Sequence, residues 1–78
     1  MNDDRLKKLS AVRRLPSYLN KLYELKGRGG STVTLTELAL RLNWDDSVIM
    51  DDLVLFGAAS RMDVGFKIDY VISVLEAY

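Results

Sequence analysis

The stretch of residues 47–66 constrains the fold of this 78-residue chain more than any other. Its apolar residues at helical spacing are Ile49, Leu53 and Phe56. Asp45 or Asp46 can cap the start of this helix, and Gly57 can supply the left-handed residue that ends it. A returning strand is predicted over residues 64–68. The fold must therefore contain a helix that is followed, after only a few residues, by a small hairpin.

The predicted hairpin has its tip at Arg61, Met62 and Asp63. Asp63 tolerates turn conformations better than most residues, which suits it to this position. After the returning strand, Asp69 is the expected cap of a last helix that runs to Tyr78. The expected core positions of that helix are Val71, Val74, Leu75 and Tyr78.

An apolar stripe predicts the first helix. Its residues are Leu9, Val12, Leu15, Leu19 and Leu22. The stripe stays in phase across Pro16, so we expect either a helix with Pro16 in its first turn or one longer, bent helix capped by Ser10, ending near Lys26. The polar residues before it are expected to be frayed. The expected organisation is a flexible N-terminus of basic and acidic residues over 1–9 and one domain over 10–78.

Glycines and a capping pattern divide the middle of the chain. The run Lys-Gly-Arg-Gly-Gly at 26–30 ends the first helix; no strand precedes it and nucleotide-binding spacing is missing, so it is only a weak phosphate-loop candidate. A very short strand is expected over 31–33. Thr34 and Glu37 then form a Thr-x-x-Glu capping box that opens a second helix. A tight turn follows at 43–46, which gives the second and third helices helix-turn-helix geometry.

The chain contains no cysteine and no histidine. Disulfides, structural zinc sites, thiol chemistry and histidine acid–base chemistry are therefore excluded, and we expect no enzyme, no metal and no cofactor. No uninterrupted apolar segment reaches the roughly 18 residues that a membrane-spanning helix needs. We therefore expect a cytoplasmic protein without a membrane partner.

The charge is unevenly distributed although the net charge is zero. Residues 1–30 hold eight Lys and Arg against three Asp and Glu, and residues 31–78 hold three against eight. The basic part could lie on phosphates or on an acidic protein surface, or both parts could be solvated faces.

The order of predicted elements is helix, short strand, helix-turn-helix, hairpin and helix. This order is that of a winged helix-turn-helix, a mostly α fold with a small β wing, built from a three-helix core, a short hairpin and a C-terminal helix.

Four segments of the chain resemble one family. They are residues 14–19 (Arg-Leu-Pro-Ser-Tyr-Leu) with Leu22 and Leu25, residues 37–39 (Glu-Leu-Ala) with Leu42, residues 52–57 (Asp-Leu-Val-Leu-Phe-Gly), and residues 64–66 (Val-Gly-Phe). The third is similar to an Asp-Leu-Ser-Tyr-Phe-Gly signature and the fourth to a Val-Gly-Tyr signature after the wing. Together they resemble the N-terminal DNA-binding domain of Rex, the bacterial redox-sensing transcriptional repressors.

The resemblance implies a repressor module that binds double-stranded DNA as a homodimer. Its third helix is expected in the major groove and its wing at the minor groove. In the family a Rossmann domain that binds NADH or NAD follows this module. That domain is not among these 78 residues, so no nucleotide cofactor is assigned to them.

The departures from the family pattern fall on the expected DNA-binding surface. Met50 and Asp51 stand where the family usually carries a basic pair, and Met62 stands where it carries an arginine. Asp63 replaces a glycine, and only Arg61 retains a basic residue in the wing. Asp52 matches a family aspartate, and we expect it to be structural.

Two functions follow from these residues. For DNA binding, the recognition helix and wing contribute Ser47, Met50, Asp51, Val54, Arg61 and Met62. The candidate phosphate contacts are Arg13, Arg14, Lys21, Arg28, Arg41 and Lys67. The alternative is a degenerate winged helix that binds a protein partner or dimerises without binding DNA. Its docking patch would be Met50, Val54, Leu55 and Met62, unless these residues pack against the wing.

Overall fold

The computed structural model describes residues 2–58 and 65–78. Within those ranges the elements are α1 (Asn2–Gly27), β1 (Thr32–Val33), α2 (Leu35–Leu42), α3 (Asp46–Phe56), β2 (Phe66–Lys67) and α4 (Ile68–Ala77). The predicted fold, a mostly α winged helix-turn-helix with a small sheet, is confirmed. The predicted wing tip, with Arg61, Met62 and Asp63, lies outside the described residues.

Helix α1 begins well before the predicted cap. It starts at Asn2 rather than Ser10, and Pro16 lies inside it. No glycine or proline occurs between residues 2 and 15, so nothing in the sequence stops the helix from extending backwards from its packed part. Pro16 lacks an N–H and removes one hydrogen bond, the one to the carbonyl of Val12, without ending the helix. The prediction of a frayed segment before Ser10 was therefore wrong about its conformation.

The buried stripe of α1 also differs from the predicted one. Leu9 and Val12 are 53% and 40% exposed, whereas Ala11, Tyr18 and Leu25 are buried. Helix α1 carries two apolar stripes, both at three- and four-residue spacing, and periodicity alone does not say which one faces the core. Of the predicted stripe, only Leu22 is fully buried, while Leu15 and Leu19 are partly buried against the core.

The two strands pair antiparallel across the helix-turn-helix. Thr32 is opposite Lys67 and Val33 is opposite Phe66. Val33 and Phe66 are buried, so this two-residue sheet closes one side of the core. The backbone N–H of Ile68 also donates to the carbonyl of Ser31, at 3.0 Å. The strand that returns from the wing is thus attached to the strand that precedes α2.

Local signals correctly predicted the helix-turn-helix. The hydroxyl oxygen of Thr34 accepts from the N–H of Glu37, at 3.1 Å, which is one half of the predicted capping box, while the carboxylate of Glu37 pairs with Arg41. Gly57 ends α3 in the left-handed conformation, with φ of 84°. Asp45 stands at the N-cap of α3, but its side chain makes no capping hydrogen bond. The acidic pair at 45 and 46 therefore acts through its charge at the positive end of the helix.

Helix α4 begins two residues earlier than predicted. Its N-cap is Lys67, so Asp69 lies in the first turn and does not cap the helix. There its carboxylate pairs with the ammonium of Lys26, at 2.9 Å, and meets the positive end of the helix dipole. Tyr78 is half exposed instead of buried, although its ring packs edge-on against Phe56 with centroids 4.7 Å apart.

All four helices and both strands contribute to one core. The predicted residues of α3 are buried: Ile49, Leu53 and Phe56. Helix α4 contributes Ile68, Val71, Ile72 and Leu75. Trp44 is partly buried, and its ring meets that of Tyr18 edge-on, with centroids 5.5 Å apart. The turn of the helix-turn-helix is thereby attached to α1.

We expect two glycines with the same backbone conformation to differ in their tolerance of alanine. Gly57 and Gly65 have φ of 84° and 87°, but only at Gly65 would a Cβ approach a neighbour, the carbonyl oxygen of Val33, at 3.3 Å. Gly57→Ala should cost about 1 kcal/mol through the left-handed conformation, and Gly65→Ala roughly 2 kcal/mol because crowding adds to it.

Urea unfolding of the two variants measures this difference. Gly27→Ala is the matched control, because Gly27 lies at the end of α1 with no heavy atom within 4 Å of the added Cβ. Equal destabilisation by Gly57→Ala and Gly65→Ala would contradict the close approach of Gly65 to β1.

Candidate nucleic-acid interface

A buried aspartate joins α1 to the helix that follows the turn. Asp52 in α3 is only 3% exposed. Two guanidinium nitrogens of Arg14, Nε and Nη2, donate to its Oδ2 and Oδ1 at 2.6 and 2.8 Å. The hydroxyl of Tyr18 donates to the same Oδ2. The expectation that Asp52 is structural agrees with this arrangement.

The network satisfies a carboxylate that could not otherwise be buried. Paired N–H donors on a planar guanidinium match both carboxylate oxygens, and the tyrosine adds a third bond. Burial, and next the hydrogen bond to Asp52, raises the pKa of Tyr18 well above its usual value. Tyr18 therefore stays protonated and remains a donor to the carboxylate over the whole physiological range.

Arg14 consequently has a different role from the one predicted. It was a candidate phosphate contact, but the buried carboxylate of Asp52 holds its guanidinium and only 29% of its side chain is exposed. Releasing it toward a phosphate would leave a buried charge without its partner. The structure thus assigns Arg14 to the packing of α1 against α3.

The predicted residues of the recognition helix lie on one face of α3. Ser47, Met50, Asp51 and Val54 are spaced by three and four residues, so they follow one another along the helix surface. Ser47, Asp51 and Val54 are exposed, and Met50 is half-buried. Asp52 projects to the opposite side, into the network with α1. Two adjacent aspartates therefore have different roles: Asp52 is structural and Asp51 lies at the surface.

Several of the predicted phosphate contacts already have carboxylate partners. Lys21 and Arg28 both pair with Glu24, at 2.9 and 3.1 Å, and Arg41 pairs with Glu37 at 3.4 Å. These pairs are short-range and lie at the surface, so each is weak and breakable. Arg13 and Lys67 are exposed and make no ion pair with another described residue.

The extension of α1 places further basic residues beside α3. A groove of about 360 Å³ separates the two helices; α1 lines it with Leu6, Lys7, Ser10 and Arg14, and α3 lines it with Val48, Asp51, Asp52 and Leu55. Arg5, Lys7 and Lys8 surround Leu55 on the adjoining surface. These three cations were missed because the segment was expected to be frayed. The uninterrupted run of helix formers from Arg5 to Leu15 was the signal that could have revealed them.

The described residues were also searched for a metal site and for a membrane-spanning helix. No group of three or more carboxylates among them is placed to hold a metal ion. No helix within residues 2–58 or 65–78 is both long and apolar enough to cross a membrane.

Comparison with curated proteins gives relatives of one kind. The chain is 39% identical over 67 residues to the redox-sensing transcriptional repressor Rex of Bacteroides thetaiotaomicron, covering 86% of this chain and 30% of that protein. It is 34% identical over 74 residues to the Rex of Bacillus subtilis, covering 94% of this chain and 34% of that protein. The chain is homologous to part of the Rex repressors. It spans about a third of the length of the Rex proteins it matches, and no protein-family model matches it.

The Rex-like segments of the chain coincide with its structural network. Residues 14–19 supply Arg14 and Tyr18, and residues 52–57 supply Asp52 and Gly57. The departures Met50 and Asp51 lie instead on the predicted recognition face of α3, and neither forms a hydrogen bond or an ion pair with Arg14, Tyr18 or Asp52. The frame of a Rex-like module is therefore kept, and its exposed contact chemistry is changed.

We expect Arg14→Met to destabilise the protein by about 3 kcal/mol. The change keeps much of the aliphatic stem but leaves Asp52 buried without its cation. Arg13→Met is the matched control, because Arg13 is the neighbouring residue on α1 and is exposed. Urea unfolding should show a change within about 0.5 kcal/mol for this control. Similar losses in the two variants would contradict the role given to the buried pair.

The protonation of Tyr18 predicts a pH dependence of stability at high pH. Its pKa is raised in the folded protein, so the folded state keeps the proton where the unfolded state has released it. Stability from this group is complete below the unfolded pKa of about 10 and falls as the pH rises above it. Unfolding free energies measured upward from this pH should fall more steeply for the wild type than for Tyr18→Phe. Tyr23→Phe, at a half-exposed site, should change that slope less; equal slopes for wild type and Tyr18→Phe would contradict the assignment.

Proposed function

We propose that this chain is the DNA-binding module of a Rex-like transcriptional repressor, which acts by binding and not by catalysis. The observation that carries the proposal is the exposed face of α3 in a helix-turn-helix, beside a basic α1 extension. Helix α3 has the position of a recognition helix, which enters the major groove. Homology to repressors of this name supports regulation of transcription.

The side chains of α3 allow base contacts of a particular kind. Asp51 can accept a hydrogen bond from the amino group of cytosine, and Met50 and Val54 can contact the methyl group of thymine. Ser47 can donate to a base or to a phosphate. Since none of these residues is a cation, α3 itself contributes nothing to neutralising the phosphates.

The phosphate contacts must then come from the residues around α3. Arg14 is held by Asp52, so the described cations that remain for this role beside α3 are Arg5, Lys7 and Lys8 on the extension of α1. Arg13 is exposed further along the same helix. Each phosphate neutralised adds about −0.9 to the slope of log affinity against log salt. We expect binding that is weak at physiological salt and becomes measurable at low salt.

A protein-docking module is the second candidate function. The observation that favours it is the exposure of large apolar side chains near α3: Leu40 is 77% exposed, Val54 60% and Leu55 38%. Such side chains together with aspartates suit a protein surface better than a phosphate backbone.

Fluorescence anisotropy with a labelled duplex of mixed sequence, titrated at two salt concentrations, tests the first proposal. We expect saturable binding to the wild-type chain that weakens as salt rises. Lys7→Ala with Lys8→Ala should lower the salt slope by about 2. The control is Lys26→Ala: Lys26 lies in the last turn of α1, roughly 30 Å from Lys7 at 1.5 Å per residue, and pairs with Asp69, so this variant should leave the slope unchanged. No binding at low salt would overturn DNA binding and leave the docking function.

The same titration has an arm that tests how α3 approaches the DNA. Met50→Arg with Asp51→Lys replaces exposed or half-exposed side chains with the basic pair usual in the family. If α3 lies in the groove, this variant should bind more tightly and show a steeper salt dependence. Unchanged affinity in a folded variant would contradict this orientation of α3.

A further inference from the structure

A second pocket, separate from the groove between α1 and α3, lies between α1 and α2. It has a volume of about 330 Å³. Its lining residues are Ser17, Asn20 and Lys21 of α1, Arg41 and Leu42 of α2, and Trp44 of the turn. The four polar lining residues all carry hydrogen-bond donors, and none of the described residues that line the pocket is a carboxylate. The pocket therefore suits an anion.

Two cations reach this pocket from two different helices. Only 26% of the Lys21 side chain and 37% of the Arg41 side chain are exposed, so both lie against the protein surface. Ser17 precedes Lys21 by one turn of α1 and lies on the same side of that helix. A phosphate group has enough acceptor oxygens to receive bonds from an ammonium, a guanidinium and a hydroxyl at the same time. Among anions, a phosphate group therefore fits this donor set well.

A carboxylate on α1 already binds cations beside this pocket. One oxygen of Glu24 accepts from the ammonium of Lys21, at 2.9 Å. Its other oxygen accepts from the guanidinium of Arg28, at 3.1 Å. The hydrogen bond from Lys21 lowers the pKa of Glu24, and the charges of Arg28 and Arg41 act in the same direction. One carboxylate thus interacts with three cations, as a bound anion would.

We propose that this pocket binds a phosphate group between Lys21 and Arg41, and that Glu24 competes with the phosphate for Lys21. The ion pairs that hold the two cations lie at the surface, where such pairs are weak: Glu24 holds Lys21, and Glu37 holds Arg41 at 3.4 Å. A phosphate monoester carries nearly two negative charges at neutral pH, whereas a carboxylate carries one. The phosphate therefore displaces the carboxylate by charge as well as by its number of acceptors.

The charges around the pocket limit the site to a single phosphate group. Trp44 separates the pocket from a neighbouring one that Asp45 and Asp46 line. Glu24 and Glu37 lie beside the two cations. These carboxylates repel further phosphates, so the pocket does not continue into a longer phosphate-binding track. A free phosphate compound and one phosphate of a DNA backbone both satisfy this chemistry; only the second source rests on the proposed function.

Titration of the whole chain with inorganic phosphate, at an ionic strength held constant with sodium chloride, tests the proposal. Trp44 is the only tryptophan of the chain, so its fluorescence reports on the pocket. We expect a saturable change in this fluorescence for the wild type. Lys21→Met and Arg41→Met should each weaken phosphate binding by roughly tenfold, because each removes a charged hydrogen-bond donor. Glu24→Gln should strengthen binding several-fold, because it removes the competing charge.

Two matched controls make the same charge changes away from the pocket. Lys26→Met removes a cation of α1 that pairs with Asp69, and Glu76→Gln removes a carboxylate of α4 that accepts from the hydroxyl of Tyr23. Neither should change phosphate binding, and circular dichroism should show all five variants folded. A wild type whose fluorescence does not respond to phosphate would overturn the proposal. So would a Glu24→Gln variant that binds phosphate no more tightly than Glu76→Gln.

Titration of the same variants with the labelled duplex distinguishes the two sources of the phosphate. If the pocket holds a DNA phosphate, Lys21→Met should lower the salt slope by about 1, and Glu24→Gln should tighten DNA binding. Unchanged DNA binding in both variants, with the fluorescence response to inorganic phosphate retained, assigns the pocket to a free phosphate compound. A wild type that responds to phosphate but does not bind DNA overturns the proposed function and leaves this site standing, so the two proposals fail separately.

Discussion

The burial of one carboxylate organises this structure. Asp52 lies in the interface of α3 with α1, where it is bound by Arg14 and Tyr18. An unpaired carboxylate at such a site would cost several kcal/mol, so α3 can pack only where α1 presents both partners. The requirement fixes the rotation of α1 about its own axis as well as its position. Apolar packing alone is less selective, because α1 has two apolar stripes of similar spacing.

This rotation determines what the surface of the protein presents. With Arg14 and Tyr18 turned toward α3, Leu9 and Val12 remain exposed, while Leu6 and Lys7 border the groove. The basic beginning of α1 thus becomes part of the surface around the recognition helix. The same network that stabilises the fold also assembles the face on which the proposed functions depend.

Sequence reasoning succeeded where the signals were local. The capping pattern at Thr34, the left-handed Gly57 and the burial of Ile49, Leu53 and Phe56 were all predicted, since each depends on residues within a turn or two. It failed at the start and phase of α1. The interaction that selects the phase joins residues 38 positions apart, which no local pattern reports. The cap of α4 was misplaced by two residues, because the strand pairing of Lys67 sets where that helix can begin.

In the candidate site, too, some residues were predicted from the sequence and others were not. Family resemblance identified Asp52 as structural, and the residues predicted for the recognition helix, Ser47, Met50, Asp51 and Val54, lie on one face of α3. Arg14 could not be separated from the phosphate contacts, because a guanidinium bound to a buried acid looks the same in sequence as one in water. Placing Arg5, Lys7 and Lys8 beside α3 required α1 to extend back to Asn2, and the sequence analysis did not expect a helix there. Both the network of Arg14, Tyr18 and Asp52 and the exposed face of α3 depend on how Asp52 orients α3 against α1.

A double-mutant cycle between Arg14 and Asp52, measured by urea unfolding, tests this account most directly. Asp52→Asn removes the charge but keeps an acceptor for Tyr18, so it isolates the ion pair. The account predicts that Arg14→Met costs far less in the Asp52→Asn background than in the wild type, with a coupling free energy of roughly 2 kcal/mol. Additive losses in the double variant would contradict it, since they would mean that the two residues stabilise the fold independently.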